Sequence, residues 1–60
     1  MINCVIVEDE PISQQVLLQK LKFHYPQCEV LKVFDNKDEA INYLNAADNI
    51  DLVFLFLAGN

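Results

Sequence analysis

Apolar residues in this chain fall into two kinds of pattern, which predict strands and helices respectively. Residues 2–7 form an almost continuous apolar run that is rich in β-branched side chains and is interrupted only by Asn3. Such a run is typical of a strand that is covered on both faces. Residues 29–34 and 52–57 form two further short runs, so the sequence predicts three strands.

Between the first two runs, apolar residues recur at the three- and four-residue spacing of a helix. Pro11 suits the first turn of this helix, because the N–H that proline lacks would have no helical partner there. Pro26 sets the end of the helix, because the residue before a proline avoids helical geometry. The predicted apolar face consists of Ile12, Val16, Leu17 and Leu21.

A second helix is predicted after a turn at residues 35–36. Asn36 followed three residues later by Glu39 resembles a capping box, with asparagine in place of the usual hydroxyl residue. The helix is expected to end within residues 45–49. Its predicted apolar face consists of Ala40, Ile41 and Leu44.

The predicted order β-α-β-α-β indicates the α/β fold class. Strands that are joined through helices run parallel, and their crossovers are right-handed. We therefore expect a parallel three-stranded sheet of order 2-1-3, as in the first half of a flavodoxin-like fold. Sixty residues allow one small domain, which would comprise residues 1–60.

Charge and hydropathy exclude several classes of function. Nine acidic residues against four basic ones give a net charge of −5. This charge disfavours nucleic acid as a partner, because phosphate contacts need a basic surface. The longest apolar run, residues 52–58, is far too short to span a membrane, and no basic segment precedes an apolar stretch as in a signal peptide. We therefore expect a cytoplasmic location and no contact with membranes.

Cysteine and glycine usage gives no sign of a bound organic cofactor. Cys4 and Cys28 lack the spacing of a metal-binding or redox motif. Cys4 lies within the first strand and is interpreted as a reduced core residue, whereas Cys28 follows a loop and is expected to be partly exposed. The only glycine, Gly59, follows the last strand, so no glycine-rich nucleotide-binding loop is present.

Candidate chemistry lies at the end of the first strand, where Glu8, Asp9 and Glu10 precede Pro11. In open α/β sheets, ligands bind in the crevice at the carboxyl ends of the strands. Carboxylates at that position suit a hard cation such as Mg²⁺. A purely structural role is the alternative, because the helix dipole stabilises negative side chains near a helix N-terminus.

Together these features resemble a known family. The matching segments are the strand end at 7–9, the helix start at 10–11, the turn at 34–36, the helix residues 39–40 and the strand 51–55. They resemble the N-terminal half of the CheY-like receiver domain of two-component response regulators. The opening segment is most similar to receivers that precede LytTR-type DNA-binding domains.

The resemblance implies roles for individual positions. Asp9 matches the direct Mg²⁺ ligand of the family, and Glu8 matches the neighbouring acid. Phe56 stands where receivers place the phosphoacceptor aspartate, and Ala58 stands where a backbone carbonyl completes the metal site. Phenylalanine offers no nucleophilic oxygen, so phosphoryl transfer to this position is not expected. Mg²⁺ binding at Glu8 and Asp9 would accordingly be vestigial and weak.

Three hypotheses for function follow. The first is a truncated receiver-like module of a phosphorelay that is not an enzyme and that would meet a histidine kinase by family resemblance. The second is a small interaction protein that self-associates. The third is a remnant of a regulator gene without a selected role. A homodimer through the third strand, residues 52–57, is expected because unpaired apolar strand edges promote association.

Overall fold

A computed structural model of the chain describes residues 1–56, and these residues form a small α/β unit. The elements are β1 (Ile2–Glu8), α1 (Pro11–His24), β2 (Cys28–Phe34), α2 (Lys37–Ala46) and β3 (Leu52–Phe56). All strand pairs are parallel, and the order in the sheet is β2-β1-β3. The predicted fold class, element order and sheet order are therefore confirmed.

β1 is the central strand and carries most of the core. Cys4, Val5, Ile6 and Val7 are each at most 1% exposed, so the strand is buried on both faces. On one face Val5 and Val7 pack with Ala40 of α2. Full burial of a side chain such as valine or isoleucine stabilises the fold by about 1.5–3 kcal/mol. This segment therefore holds the two helices to the sheet.

The boundaries of the elements differ from the predicted ones by one residue. β1 extends to Glu8 and β2 already begins at Cys28, whereas α1 begins at Pro11 as predicted. β3 ends at Phe56. Leu57, which was predicted to end this strand, lies outside the described residues.

The predicted apolar face of α1 is only partly buried, which corrects the sequence interpretation. Leu21 is 5% exposed, whereas Ile12 is 80% exposed and Val16 is also exposed. The N-terminal half of the helix faces a groove rather than a packed layer, and Ile12, Val16 and Leu17 line that groove together with Phe56. Helical spacing predicts which residues share an apolar face, but it does not predict how much of that face the sheet covers.

The same correction applies to α2, where Ala40 is buried but Ile41 is exposed. Leu44 is partly buried and packs against the cluster formed by Val5, Val7 and Ala40. Neither helix within residues 1–56 is long and apolar enough to cross a membrane.

A pair of polar residues fixes the start of β3 beside β1. The backbone N–H of Asn3 donates to Asp51 Oδ2 at 2.8 Å, and the Asp51 N–H donates to the Asn3 carbonyl at 2.8 Å. The Asn3 side-chain amide also donates to the Asn49 carbonyl at 2.9 Å. Asn3, the one polar residue in the first apolar run, thus sets the register between the two strands.

The N-terminus of α2 is capped as predicted. Asn36 Oδ1 accepts a hydrogen bond from the Glu39 N–H at 3.0 Å. In a full capping box the glutamate would reach the backbone N–H of the cap residue. Here the Glu39 carboxylate accepts from the Asn36 side-chain amide at 2.6 Å instead. One amide side chain therefore serves both halves of the motif.

We expect Asn36→Ala to lower the free energy of unfolding by about 1 kcal/mol, because both bonds of this cap are lost. Urea denaturation followed by circular dichroism measures the change. Asn45→Ala is the matched control, since Asn45 is an exposed asparagine on the same helix. Equal effects of the two substitutions would contradict a capping role for Asn36.

Candidate metal and phosphoacceptor site

The predicted site residues meet at the carboxyl edge of the sheet. Glu8 is the last residue of β1, and the parallel register pairs it directly with Phe56 of β3. Both residues therefore stand at the edge where open α/β sheets bind ligands. The Phe56 side chain is 47% exposed and stacks on Phe54, with the ring centroids 6.4 Å apart. Phe56 is thus half-exposed at this edge of the sheet.

Glu8 is held by the turn that leads into α1. Its side chain is 8% exposed, and its Oε2 accepts a hydrogen bond from the Glu10 N–H at 3.1 Å. The Gln14 side chain donates to the Glu8 carbonyl at 2.7 Å. Gln14 is a positioning residue that the sequence did not reveal, because glutamines on an exposed helix face are usually solvated.

The three acids of the turn form one cluster. One carboxylate oxygen from each of Glu8, Asp9 and Glu10 lies within 4.8 Å of the others. Glu10 thus joins the two residues that the resemblance assigned to the metal. Asp9 and Glu10 are exposed, whereas Glu8 is buried.

This cluster fits a loosely held hard cation. Ligand oxygens lie about 2.1 Å from Mg²⁺, so those on opposite sides of the ion are about 4.2 Å apart. The carboxylate oxygens of the three acids lie within 4.8 Å of one another, which is close to this span. Asp9 and Glu8 would hold the ion, which would supply positive charge for an incoming anion.

The alternative role of the acids, in the helix N-terminus, finds only partial support. Glu10 occupies the N-cap position of α1, but its side chain makes no capping hydrogen bond. The first turn of the helix contains no acidic residue. The helix dipole still favours nearby negative charge, so the structural role and the metal-binding role are compatible.

The described residues around Phe56 include no carboxylate from β3. Phe56 borders a groove of about 220 Å³ whose polar members include Glu8, Ser13 and Lys20. Asp51 stands at the opposite end of β3, about 16 Å away at the usual rise of a strand, and is bonded to Asn3. The position of Ala58, which the resemblance assigns to the metal site, lies outside the described residues.

No family model, curated protein or solved structure matches this chain. The resemblance to receivers therefore rests on the sequence motifs and remains a prediction.

We expect Mg²⁺ to bind this cluster with a dissociation constant in the millimolar range or weaker, because few ligands are fixed and the ion gives up its water reluctantly. Amide chemical shifts followed during a Mg²⁺ titration locate the binding. Asp9→Asn should abolish the shifts at residues 8–10, whereas Asp48→Asn, at another exposed acid, should leave them unchanged. Tight binding that survives Asp9→Asn would show that the ion binds elsewhere.

Proposed function

We propose that this chain is a receiver-like module of a phosphorelay that acts by binding and does not accept a phosphoryl group. The proposal rests on the register that places Phe56 beside Glu8 at the carboxyl edge of the sheet. Phosphoryl transfer to a receiver needs a carboxylate oxygen as nucleophile, and a phenyl ring has none. The chain would then have a partner but no enzymatic turnover.

The family resemblance implies the partner and the compartment of this proposed module. Receivers meet histidine kinases, so a cytoplasmic histidine kinase is the partner that the proposal favours. Docking without transfer would occupy the kinase without consuming its phosphoryl group. The net charge of −5 supports a protein partner over nucleic acid for this segment.

We expect acetyl phosphate with Mg²⁺ to leave the wild-type chain unmodified, as measured by intact mass. Phe56→Asp should gain one acid-labile phosphate that maps to residue 56, because the new carboxylate lies beside Glu8.

Phe54→Asp is the matched control, because Phe54 lies two residues earlier on the same face of β3 and pairs with Ile6 instead of Glu8. It should remain unmodified. Phosphate on the wild-type chain would refute the proposal that the module does not accept a phosphoryl group. Equal modification of both variants, or of neither, would refute a receiver-like site at Glu8.

A second candidate function, self-association, is favoured by the exposure of β3. Within residues 1–56 this strand pairs with β1 on one edge, and no described strand pairs with its other edge. Four of its five side chains are exposed, and all five are apolar: Leu52, Val53, Phe54, Leu55 and Phe56. An open apolar edge of this kind promotes pairing with another strand. Two copies joined about a two-fold axis would pair their β3 strands antiparallel.

We expect sedimentation at low micromolar concentration to reveal a dimer, and Leu55→Lys to shift it toward monomer. Leu55 is 63% exposed within one chain, so lysine should cost little folding stability there. Phe23→Lys is the matched control, because Phe23 is an exposed apolar residue on α1, away from β3. A wild-type monomer, or equal effects of both lysines, would contradict pairing through β3. Heterogeneous aggregates would instead favour the third hypothesis, that the chain is a remnant of a regulator gene without a selected role.

A further inference from the structure

We propose that two copies of this chain, paired through β3, form a binding groove for one amphipathic helix of a partner protein. The inference rests on the self-association proposed above, and it adds an occupant for the space between α1 and β3. The groove is complete only when both copies contribute to it.

One face of β3 borders this groove. Val5 and Val7 face α2, since they pack with Ala40. Residues at the even positions of β1 therefore face α1, and so do their partners on β3 in the parallel register. The β3 residues on this face are Leu52, Phe54 and Phe56.

Apolar side chains of α1 form the wall of the groove. Near Phe56 the groove has a volume of about 220 Å³, and a second cavity of about 370 Å³ borders Leu52 and Phe54. The α1 residues that line these two spaces include Ile12, Val16, Leu17 and Leu21. Phe56 and Leu52 are 47% and 42% exposed, so an apolar surface remains open along the strand. An open apolar surface of this kind marks an interaction site.

Pairing two β3 strands about a two-fold axis doubles this surface. Full antiparallel pairing of the five residues places Phe54 on the axis and sets Leu52 opposite the partner's Phe56. Residues that are directly opposite in such a pair point to the same face of the sheet. The floor of the groove then consists of apolar side chains from both copies, and an α1 helix stands on each side of it.

The distance between the two walls fits a single helix. α1 packs on β1 and β2, so its axis lies about two strand spacings, or about 10 Å, from the two-fold axis. Packed helices are about 8–10 Å apart, so a helix on the axis would contact α1 of both copies. Neighbouring strands are rotated by about 20–25°, so this helix would cross each α1 at about 40–50°. That angle is close to the commonest class of helix packing.

Charge at the two ends of the groove determines which helix fits. Antiparallel pairing places the acidic turn of one copy, with its exposed Asp9 and Glu10, at one end and that of the other copy at the opposite end. Lys20 in the wall is exposed, and its ammonium group can reach solvent while its stem covers apolar surface. The complementary helix is therefore apolar along its buried sides and carries lysine or arginine near both ends.

The helices of the chain itself fit these ends poorly. Glu10 immediately precedes the first turn of α1, and Asp38 and Glu39 lie in the first turn of α2. Either helix from a further copy would bring these acids to an end of the groove that is already acidic. Charge complementarity therefore favours a basic helix of another protein over a further copy of this chain.

Fluorescence anisotropy with a labelled synthetic peptide tests this inference. The probe has about 14 residues, the length of α1, and would span about 21 Å as a helix. It carries leucine and alanine on its buried sides, glutamine on its outer side and two lysines at each end. A control peptide has glutamates in place of the lysines. Mg²⁺ is left out, because it would compete for the acids.

We expect the lysine peptide to saturate at one peptide per two chains, with the mass of the complex measured by sedimentation. The glutamate peptide should bind at least about tenfold more weakly, because like charges meet at both ends of the groove. Circular dichroism should show that the lysine peptide gains helix when it binds.

Three lysine variants separate the groove from the dimer. Val16→Lys should weaken binding of the lysine peptide at least about tenfold and leave the dimer intact, because Val16 lines the groove and lies on α1. Phe23→Lys is the matched control, since Phe23 is exposed on the same helix and borders a different surface cavity. Leu55→Lys lies on the opposite face of β3, and it should abolish peptide binding only because it separates the two copies.

The outcomes distinguish this inference from the self-association on which it rests. A dimer that binds no peptide would overturn the inference and leave the self-association in place. A monomer would overturn both, even if it bound one peptide per chain. Equal affinity for the two peptides, two peptides per dimer, or a tetramer that closes the groove without peptide would each overturn the inference alone.

Discussion

The structure depends on the burial of β1 between two strands and two helices. Its residues Cys4 to Val7 are essentially inaccessible to solvent, and both neighbouring strands hydrogen-bond to it. A parallel strand with this environment must be apolar on both faces, which explains why the run shows no alternation. Within residues 1–56 the helices also contact β2, but the fully buried apolar side chains of the sheet all lie on β1. A small domain leaves much of its surface exposed, so its stability concentrates in this strand.

The two edge strands of the sheet, β2 and β3, differ in how well they are covered. β2 borders both helices, whereas β3 is held by β1 and by the hydrogen bonds between Asn3 and Asp51. Its apolar side chains therefore remain exposed, although the strand is as hydrophobic as β1. The same shortage of cover leaves Ile12 and Val16 exposed on α1. On this side of the sheet, apolar residues are therefore exposed.

The sequence was sufficient to predict the element order, the sheet order and the Asn36 cap, because these follow from local spacing and from the handedness of crossovers. It could not predict which apolar residues are buried, because Ile12 and Leu21 carry the same helical signal and differ only in what lies beneath them. It also gave no role to Gln14, whose bond to Glu8 depends on the path of the turn. Which side chains meet across a turn depends on the tertiary structure, which local sequence patterns do not predict.

At the carboxyl edge of the sheet, the backbone fixes which residues lie side by side, whereas the side chains determine the chemistry. Register places Glu8 and Phe56 side by side whatever side chain occupies position 56, because backbone hydrogen bonds set that pairing. The charge at the same edge is not fixed by the backbone, because it depends on the side chains. Glu8 stands beside a phenyl ring there, and β3 contributes no carboxylate. The backbone can therefore hold the geometry of this edge whatever chemistry the side chains there can perform. The groove beside Phe56 is lined by Glu8, Ser13 and Lys20, so its polar character comes from β1 and α1 and not from β3.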